Sequence, residues 1–233
     1  READKQGVKI LALPELCLTG YTCADLFLQD TLLRGAEEGL QTILDATKHL
    51  EVLTALGMPV RCQWNNKLYN CAVVIQKGEI LGLVPKSYIP NYGEFYEMRQ
   101  FTPGPKEAGY ISFEGDQIPF GPCILFQSTV MENLIVSAEI CEDVWSPIPP
   151  SITAALEGAT VIVNCSASDE TIGKDSYRRE LISGQSARLI AGYVYANAGE
   201  GESTTDLVFG GHNIIAENGT ILKEAKRYHN EII

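Results

Sequence analysis

Short apolar runs bounded by polar or turn-forming residues recur along the whole chain and predict buried strands. The first run, at 8–14, ends in proline, and a second follows at 52–60. A polar turn separates the run at 68–75 from the run at 80–84, which predicts a hairpin. Later strands are predicted at 124–126, 134–137, 161–164 and 193–197, with a last hairpin formed by 209–216 and 220–222.

Helical periodicity occurs in three segments between these runs. Residues 36–49 place Leu40 and Leu44 on one face, as an amphipathic helix requires. A crossover helix is predicted at 152–157 and another amphipathic helix at 178–189. Because strands alternate both with helices and with hairpins, the pattern predicts an α/β protein whose sheet is mixed and covered by helices.

A long segment rich in proline and glycine runs from Pro85 to about Gly109 and does not follow either period. Its aromatic residues are Tyr88, Tyr92, Phe95, Tyr96 and Phe101. Long ordered loops of this kind often carry functional residues. We therefore expect this loop to contribute to a binding or catalytic site.

Composition narrows the class of protein. A chain of 233 residues with 45% hydrophobic and 21% charged residues predicts one large globular domain. The net charge of −12 argues against nucleic-acid binding, which needs basic patches. No apolar run has the length of a membrane span, and the first residues lack the apolar core of a signal peptide. We expect neither a nucleic-acid partner nor a membrane partner.

The cysteines and histidines predict reduced thiols and no metal. Seven cysteines occur at irregular spacing without a CxxC pair, which disfavours both a zinc site and a disulfide framework. The three histidines, His49, His212 and His229, are scattered and match no metal-ligand spacing. Free thiols are typical of the cytoplasm, which is the predicted location.

Three predicted strands end in a polar residue that a buried strand would not need. Glu15 follows the first run, Lys86 follows the run at 80–84, and Cys141 follows the run that begins at 134. Each residue alone reads most simply as a solvated strand end or, for the cysteine, a packing residue. Together they supply a base, a cation and a thiol, a set that performs acyl transfer without histidine.

The sequence around these residues resembles the nitrilase superfamily of carbon-nitrogen hydrolases. The motifs that carry the resemblance are LPELCLTGY at 13–21, PKSYIPNYGEFYE at 85–97 and ICEDVW at 140–145. Within that superfamily the chain is most similar to the glutaminase domains of glutamine-dependent NAD synthetases. The additional signatures are NCSAS at 164–168 and YVYANAGEGESTTDLVFGG at 193–211. The implied fold is a four-layer α-β-β-α sandwich.

The resemblance implies a Glu-Lys-Cys triad that hydrolyses glutamine. Cys141 would be the nucleophile that forms a thioester, and Glu15 the general base. Lys86 and the backbone N–H of Glu142 would stabilise the tetrahedral oxyanion. Glu94 would be a fourth acidic residue that orients Lys86 and the substrate amide.

The resemblance also implies contacts with the α-amino and α-carboxylate groups of L-glutamine. Tyr92, Ser168 and Lys174 would make these contacts, and the cation of Lys174 suits a carboxylate. The family often has arginine near this position, so lysine here loses bidentate geometry. The remaining residues expected to line the pocket are Tyr21, Phe95, Glu142 and Trp145.

Nitrilase domains usually begin with a strand and a helix before the first motif, and only the end of that helix is expected here, at about residues 1–6. The whole chain is then one glutaminase domain, 1–233, that lacks its first strand and most of its first helix. The domain itself needs no cofactor or metal. ATP and Mg²⁺ would belong to a synthetase domain of the same protein, which would use the ammonia to amidate deamido-NAD. The family also implies a homo-oligomer.

Two other functions are compatible with the same residues. A free-standing nitrilase-type amidase or carbamoylase would use the same triad on another small amide. A catalytically inactive scaffold domain would not need the triad, so an intact Glu15, Lys86 and Cys141 disfavours it.

Overall fold

The computed structural model describes residues 1–203, 206–229 and 231–233, where the apolar runs form two six-stranded sheets. The first contains β1 (Ile10–Ala12), β2 (Leu53–Arg61), β3 (Leu68–Gln76), β4 (Glu79–Pro85), β5 (Gly109–Phe113) and β6 (Asp116–Phe120), in the order β1-β2-β3-β4-β6-β5. The second contains β7 (Phe126–Gln127), β8 (Ile135–Ile140), β9 (Val161–Ser166), β10 (Gly192–Asn197), β11 (Ile214–Glu217) and β12 (Thr220–Glu224), in the order β12-β11-β10-β9-β8-β7. Both sheets are mixed, as the sequence predicts.

Five α-helices occur in the described ranges: α1 (Glu2–Lys5), α2 (Asp30–Thr47), α3 (Glu142–Trp145), α4 (Pro150–Leu156) and α5 (Lys174–Leu189). Short 3₁₀ helices occupy Ala24–Leu28 and Glu97–Arg99. Over the part of the chain that the structure describes, no helix combines the length and apolar character needed to cross a membrane.

The two sheets pack face to face, and helices cover their outer sides. Ala72 and Val74 of the first sheet share a buried cluster with Ala138 and Val163 of the second. The apolar face of α2, with Leu40 at its centre, packs on the outer side of the first sheet. Helices α4 and α5 cover the outer side of the second sheet. The predicted four-layer α-β-β-α sandwich is confirmed.

Strand direction brings the three predicted catalytic residues to one edge of the sandwich. Strand β1 is parallel to β2, and the antiparallel pairs β2–β3 and β3–β4 make β4 run the same way as β1. Strands β8, β9 and β10 are parallel to each other in the second sheet. Glu15, Lys86 and Cys141 follow the carboxyl ends of β1, β4 and β8, where α/β proteins place their sites.

Gly57 in β2 allows the backbone around Glu15 to cross the sheet closely. A Cβ atom at Gly57 would lie 2.1 Å from the backbone nitrogen of Leu16 and 2.6 Å from the carbonyl carbon of Glu15. The N–H of Gly57 donates to the carbonyl of Pro14 at 3.2 Å. Only glycine fits at this distance, so β2 directly fixes the position of the Glu15 backbone.

The structure differs from the predicted elements at several boundaries and in one hairpin. The strand predicted at 124–126 is Phe126–Gln127, and the strand predicted at 209–216 is Ile214–Glu217. Helix α2 begins at Asp30, six residues before the predicted start at 36, and α5 begins at Lys174 instead of 178. The first turn of α5 is largely polar, so hydrophobic periodicity does not reveal it. The first turn of α2 contains Leu32 and Leu33, and Leu33 packs in a different buried cluster from Leu40. The hairpin of β5 and β6 is not predicted from the sequence, and its turn residues Glu114 and Gly115 both have positive φ. Pro119 within β6 obscures the strand pattern.

Candidate active site

Glu15, Lys86 and Cys141 meet at one edge of the sandwich and are buried there. Lys86 Nζ lies 2.6 Å from Glu15 Oε1, and both side chains are fully buried. Cys141 is also buried. After burial itself, the charges of Glu15 and Lys86 have the largest effects on the pKa of the Cys141 thiol, so the thiol lies within their electrostatic reach.

Cys141 occupies a strained turn between β8 and α3. Its backbone has φ 41° and ψ −100°, a region that non-glycine residues rarely adopt. Its N–H donates to Cys165 O at 3.1 Å and to Asn164 Oδ1 at 3.0 Å. Neighbouring strand β9 therefore holds the cysteine in this conformation, as expected for strain stored at a functional residue.

Glu15 has its two carboxylate oxygens in different environments. Oε1 accepts from Lys86 Nζ and from Asn70 Nδ2, both at 2.6 Å. Oε2 accepts from the backbone N–H of Ala167 at 3.0 Å. A carboxylate oxygen has two lone-pair sites, so Oε1 is saturated and Oε2 keeps one site for a proton.

The protonation equilibria suit proton transfer between a thiol and a carboxylate. Burial raises the pKa of Glu15 to about 7, against the lowering effect of Lys86. Burial and the Glu15 charge raise the pKa of Cys141 to about 12. Burial lowers the pKa of Lys86, but Glu15 and Glu97 raise it well above its ordinary value. The site therefore holds a neutral thiol, an ammonium ion and a carboxyl group that exchanges a proton near neutral pH.

Glu97, which the sequence analysis did not single out, is the second carboxylate on Lys86. Its Oε1 and Oε2 lie 2.7 and 3.0 Å from Lys86 Nζ, and Tyr21 OH donates to Oε1 at 2.7 Å. The carboxylate that orients Lys86 is therefore Glu97 and not Glu94 as predicted, whereas the predicted contact of Glu94 with the substrate amide stays a prediction. Glu94 is exposed at the mouth of the pocket. Only position within the loop distinguishes the two acids, and that depends on the turn at 97–99.

A pocket of about 410 Å³ opens from Cys141 to the surface. The predicted substrate residues that line it are Tyr92, Phe95, Glu142, Trp145, Ser168 and Lys174, and its other lining residues include Glu94, Thr171, Ile172, Gly173 and Tyr177. Tyr21 is the exception. It lines a neighbouring cavity of about 210 Å³ behind Glu97, so its predicted place in the Cys141 pocket is wrong.

Lys174 is held at the wall of this pocket by charge and by aromatic rings. Its ammonium group forms an ion pair with Asp169. The same group lies 5.7 Å from the centre of the Phe95 ring and 5.5 Å from that of Trp145, within the range of cation–π attraction. On another side of the pocket, Tyr92 OH donates to Glu142 Oε1 at 2.9 Å. The pocket thus combines a cation, a carboxylate and aromatic surfaces.

Asp143 joins the cysteine turn to the lysine loop. Its Oδ1 accepts from the N–H groups of Ser87 and Tyr88 at 3.0 and 2.9 Å, and its Oδ2 accepts from Ile140 N–H at 2.9 Å. The segments that follow β4 and β8 are therefore fixed to each other just beside Lys86 and Cys141.

Two further contacts complete the surroundings. The side chain of Asn70 holds Glu15, and its backbone carbonyl accepts a hydrogen bond from the backbone N–H of Lys86 at 2.8 Å. The sequence signal that could have revealed Asn70 is its position, a polar residue inside the apolar run at 68–75. The structure buries it fully.

Glu202, in the signature at 193–211, accepts from Tyr21 N–H at 2.8 Å. Thr204 and Thr205 of that signature lie outside the described residues. Within the described ranges, no group of three or more His, Cys, Asp or Glu residues is placed to hold a metal ion.

Two packed mixed sheets with a buried Glu-Lys-Cys cluster at one edge define an amide-hydrolysing enzyme domain. The Carbon-nitrogen hydrolase family model matches residues 1–233, and the chain belongs to this family. The resemblance to the nitrilase superfamily is confirmed.

Individual relatives indicate a narrower type of protein within this family. The chain is 46% identical over 228 residues to the glutamine-dependent NAD(+) synthetase of Mycobacterium leprae (strain TN), a match that covers 98% of this chain and 33% of that protein. It is 33% identical over 235 residues to the protein of the same name from Thermotoga maritima, covering 100% of this chain and 37% of the relative. The chain thus spans about a third of the length of these relatives.

Solved structures agree with the fold. The crystal structure of a glutamine-dependent NAD(+) synthetase from Cytophaga hutchinsonii superposes with a TM-score of 0.85 at 32% identity, covering 97% of this chain and 36% of that one. A mutant of the Nesterenkonia AN1 amidase, from the nitrilase superfamily, has a TM-score of 0.72 at 19% identity, covering 97% and 76%. At that identity the amidase supports the fold alone.

Proposed function

We propose that this chain is a glutaminase domain that hydrolyses L-glutamine to glutamate and ammonia through a thioester on Cys141. The observation that carries the proposal is the buried Glu15–Lys86–Cys141 cluster at the base of a pocket that also holds a cation. The relatives named glutamine-dependent NAD(+) synthetase support glutamine as the substrate.

Acylation begins when Glu15 Oε2, the oxygen with a free lone-pair site, takes the thiol proton. The thiolate sulfur then forms a bond with the carboxamide carbon, and the carbonyl electrons move to oxygen. Lys86 Nζ and the N–H of Glu142 stabilise this oxyanion. Glu15 returns its proton to the amide nitrogen as the C–N bond breaks, so ammonia leaves and a thioester remains.

Deacylation uses the same groups in reverse order. Glu15 takes a proton from water while the hydroxyl oxygen attacks the thioester carbon. The C–S bond breaks, Cys141 regains the proton, and glutamate leaves. A base whose pKa lies near neutral pH is suited to both directions of transfer.

The pocket wall explains a preference for glutamine over a small neutral amide. We assign the α-carboxylate of glutamine to Lys174 and Ser168, and the α-amino group to the side of Tyr92 and Glu142. A free-standing amidase or carbamoylase that acts on an uncharged small amide would have no use for this pair of opposite charges. Steady-state rates with glutamine and with propionamide distinguish the two functions.

In the whole protein we propose that the ammonia feeds the ATP- and Mg²⁺-dependent amidation of deamido-NAD by a synthetase domain. We place this protein in the cytoplasm and expect a homo-oligomer. Light scattering of the full-length protein tests the oligomer, and a monomer would contradict it.

The direct test is ammonia release from glutamine by the full-length protein and by Cys141→Ala. We expect the variant to lose release, because the thioester needs a sulfur nucleophile at this position. Mass spectrometry of an adduct with a thiol-alkylating glutamine analogue should place the label on Cys141. Wild-type release by Cys141→Ala, or a label on another cysteine, would show that the nucleophile is assigned wrongly.

A further inference from the structure

A fully buried arginine on α5 lies behind one wall of the pocket. Arg178 Nη2 donates to Ser168 Oγ at 3.2 Å and to the Asp169 carbonyl at 2.9 Å. Its Nη1 donates to Glu170 Oε1 at 2.7 Å and lies 3.0 Å from His212 Nδ1. One guanidinium group therefore holds three successive residues, and the proposed mechanism gives it no part. Only its planar fork of donors makes such a set of contacts possible.

The contact between Arg178 and Ser168 uses the oxygen of the serine hydroxyl group. A guanidinium has no acceptor, so Ser168 Oγ must accept from Arg178. Tyr195 OH accepts from Ser166 Oγ at 2.7 Å. Both backbone groups of Ser168 bond to the Asn197 side chain, at 2.7 and 3.0 Å. Because Arg178 uses only the oxygen of the Ser168 hydroxyl, the hydroxyl hydrogen remains available for donation, and Ser168 lines the pocket with Cys141.

The same arginine acts on Lys174 through Asp169. Arg178 holds the Asp169 backbone carbonyl, and the Asp169 carboxylate forms the ion pair with Lys174. The ammonium group and the Ser168 hydroxyl both belong to residues that line the pocket with Cys141. A carboxylate only accepts hydrogen bonds, so two aligned donors are what it requires.

We propose that Arg178 is a positioning residue for substrate recognition, which orients the Ser168 hydroxyl and, through Asp169, the Lys174 ammonium as paired donors for the substrate carboxylate. This inference rests on the proposed glutaminase function. It assigns Arg178 to the binding of the substrate and not to the chemistry at Cys141.

The test is Arg178→Lys in the full-length protein. Lysine keeps the charge but cannot span the same three residues. We expect KM for glutamine to rise about threefold while kcat changes little, because the bond that aligns the Ser168 hydroxyl is lost while the donors that bind the substrate remain. Alkylation of Cys141 by iodoacetamide should keep its wild-type rate. The matched control is Arg179→Lys on the same helix, whose exposed guanidinium pairs with Glu224 and should leave KM unchanged.

A double-mutant cycle with Ser168→Ala separates positioning from general support of the fold. If Arg178 acts through Ser168, Arg178→Lys should raise KM much less in the Ser168→Ala background than in the wild type. Additive effects on KM would overturn the proposal. A joint fall in kcat and in the rate of Cys141 alkylation would also overturn it, since Arg178 would then support the whole site.

The same measurements show which of the two proposals fails, the glutaminase function or the role of Arg178. Absence of ammonia release by the wild-type protein would overturn the glutaminase function and this inference with it. Wild-type release with an unchanged KM in Arg178→Lys would overturn the role of Arg178 alone.

Discussion

The base of the pocket and its mouth are built in opposite ways. At the base, Glu15 and Lys86 have no exposed surface, and their charged atoms are matched to named partners. At the mouth, Tyr92 is 58% exposed and Ile172 is fully exposed. The base is formed by residues one to three positions after strands, whereas much of the mouth is formed by loops. Rigid burial suits groups that must exchange protons at fixed distances, and open surface suits groups that admit and release a substrate.

Burial also explains why the two regions differ in their expected response to mutation. Removing one member of a buried, hydrogen-bonded charge network leaves the others unpaired, which is costly. Removing a half-exposed charge leaves a group that water can solvate. Substitutions at the base should therefore act mainly on kcat, and substitutions at the mouth mainly on KM.

The largest effect is expected for Glu15→Gln at the base. The amide keeps the size of the side chain but cannot take the thiol proton, so kcat for ammonia release should fall by about a hundred- to ten-thousandfold. Single-turnover assays with glutamine measure this loss. A kcat within a few-fold of the wild type would remove Glu15 from the role of general base.

A sharper comparison pairs Glu97→Gln at the base with Glu94→Gln at the mouth. Loss of a charge-assisted bond to Lys86 should lower kcat roughly tenfold in Glu97→Gln, while the exposed Glu94→Gln should change it by less than about twofold. The pH profile gives a second readout. The negative charge of Glu97 raises the pKa of Glu15, so its removal should move the acidic limb, where Glu15 gains its proton, to lower pH.

Equal effects of the two substitutions on kcat and on the acidic limb would contradict the division between base and mouth. The wild-type limb itself should have its midpoint near the pKa of Glu15, which burial raises to about 7. Activity should be retained above that midpoint and lost below it, because protonated Glu15 cannot act as a base.

The smallest effect is expected for Lys174→Met at the mouth. The variant keeps a long side chain against Phe95 and Trp145 but removes the charge that we assign to the substrate carboxylate. Because one donor to that carboxylate is lost, KM should rise about fivefold with kcat nearly unchanged. A loss confined to kcat would place Lys174 with the residues at the base.

The sequence was sufficient for the parts of the site that follow strands. Apolar runs locate the strand ends, so Glu15, Lys86 and Cys141 could be predicted and are brought together. The choice between Glu94 and Glu97 could not, because it depends on how the loop turns within three residues. Asn70 was missed because a polar residue in a central strand looks like an exception until its partner Glu15 is known. Arg178 was missed because its partners lie in two loops that are far apart in the sequence.

The bond between Glu15 and Ala167 joins residues 152 positions apart and crosses from one sheet to the other. The base of the pocket therefore does not exist in a chain that has formed only its first sheet. During synthesis, most of the domain must leave the ribosome before Glu15 is fixed beside Cys141. In an incomplete chain, Cys141 is therefore not yet placed next to Glu15 and Lys86. Non-local closure of this kind is slow relative to local hairpins and helices, so catalytic competence marks the end of folding.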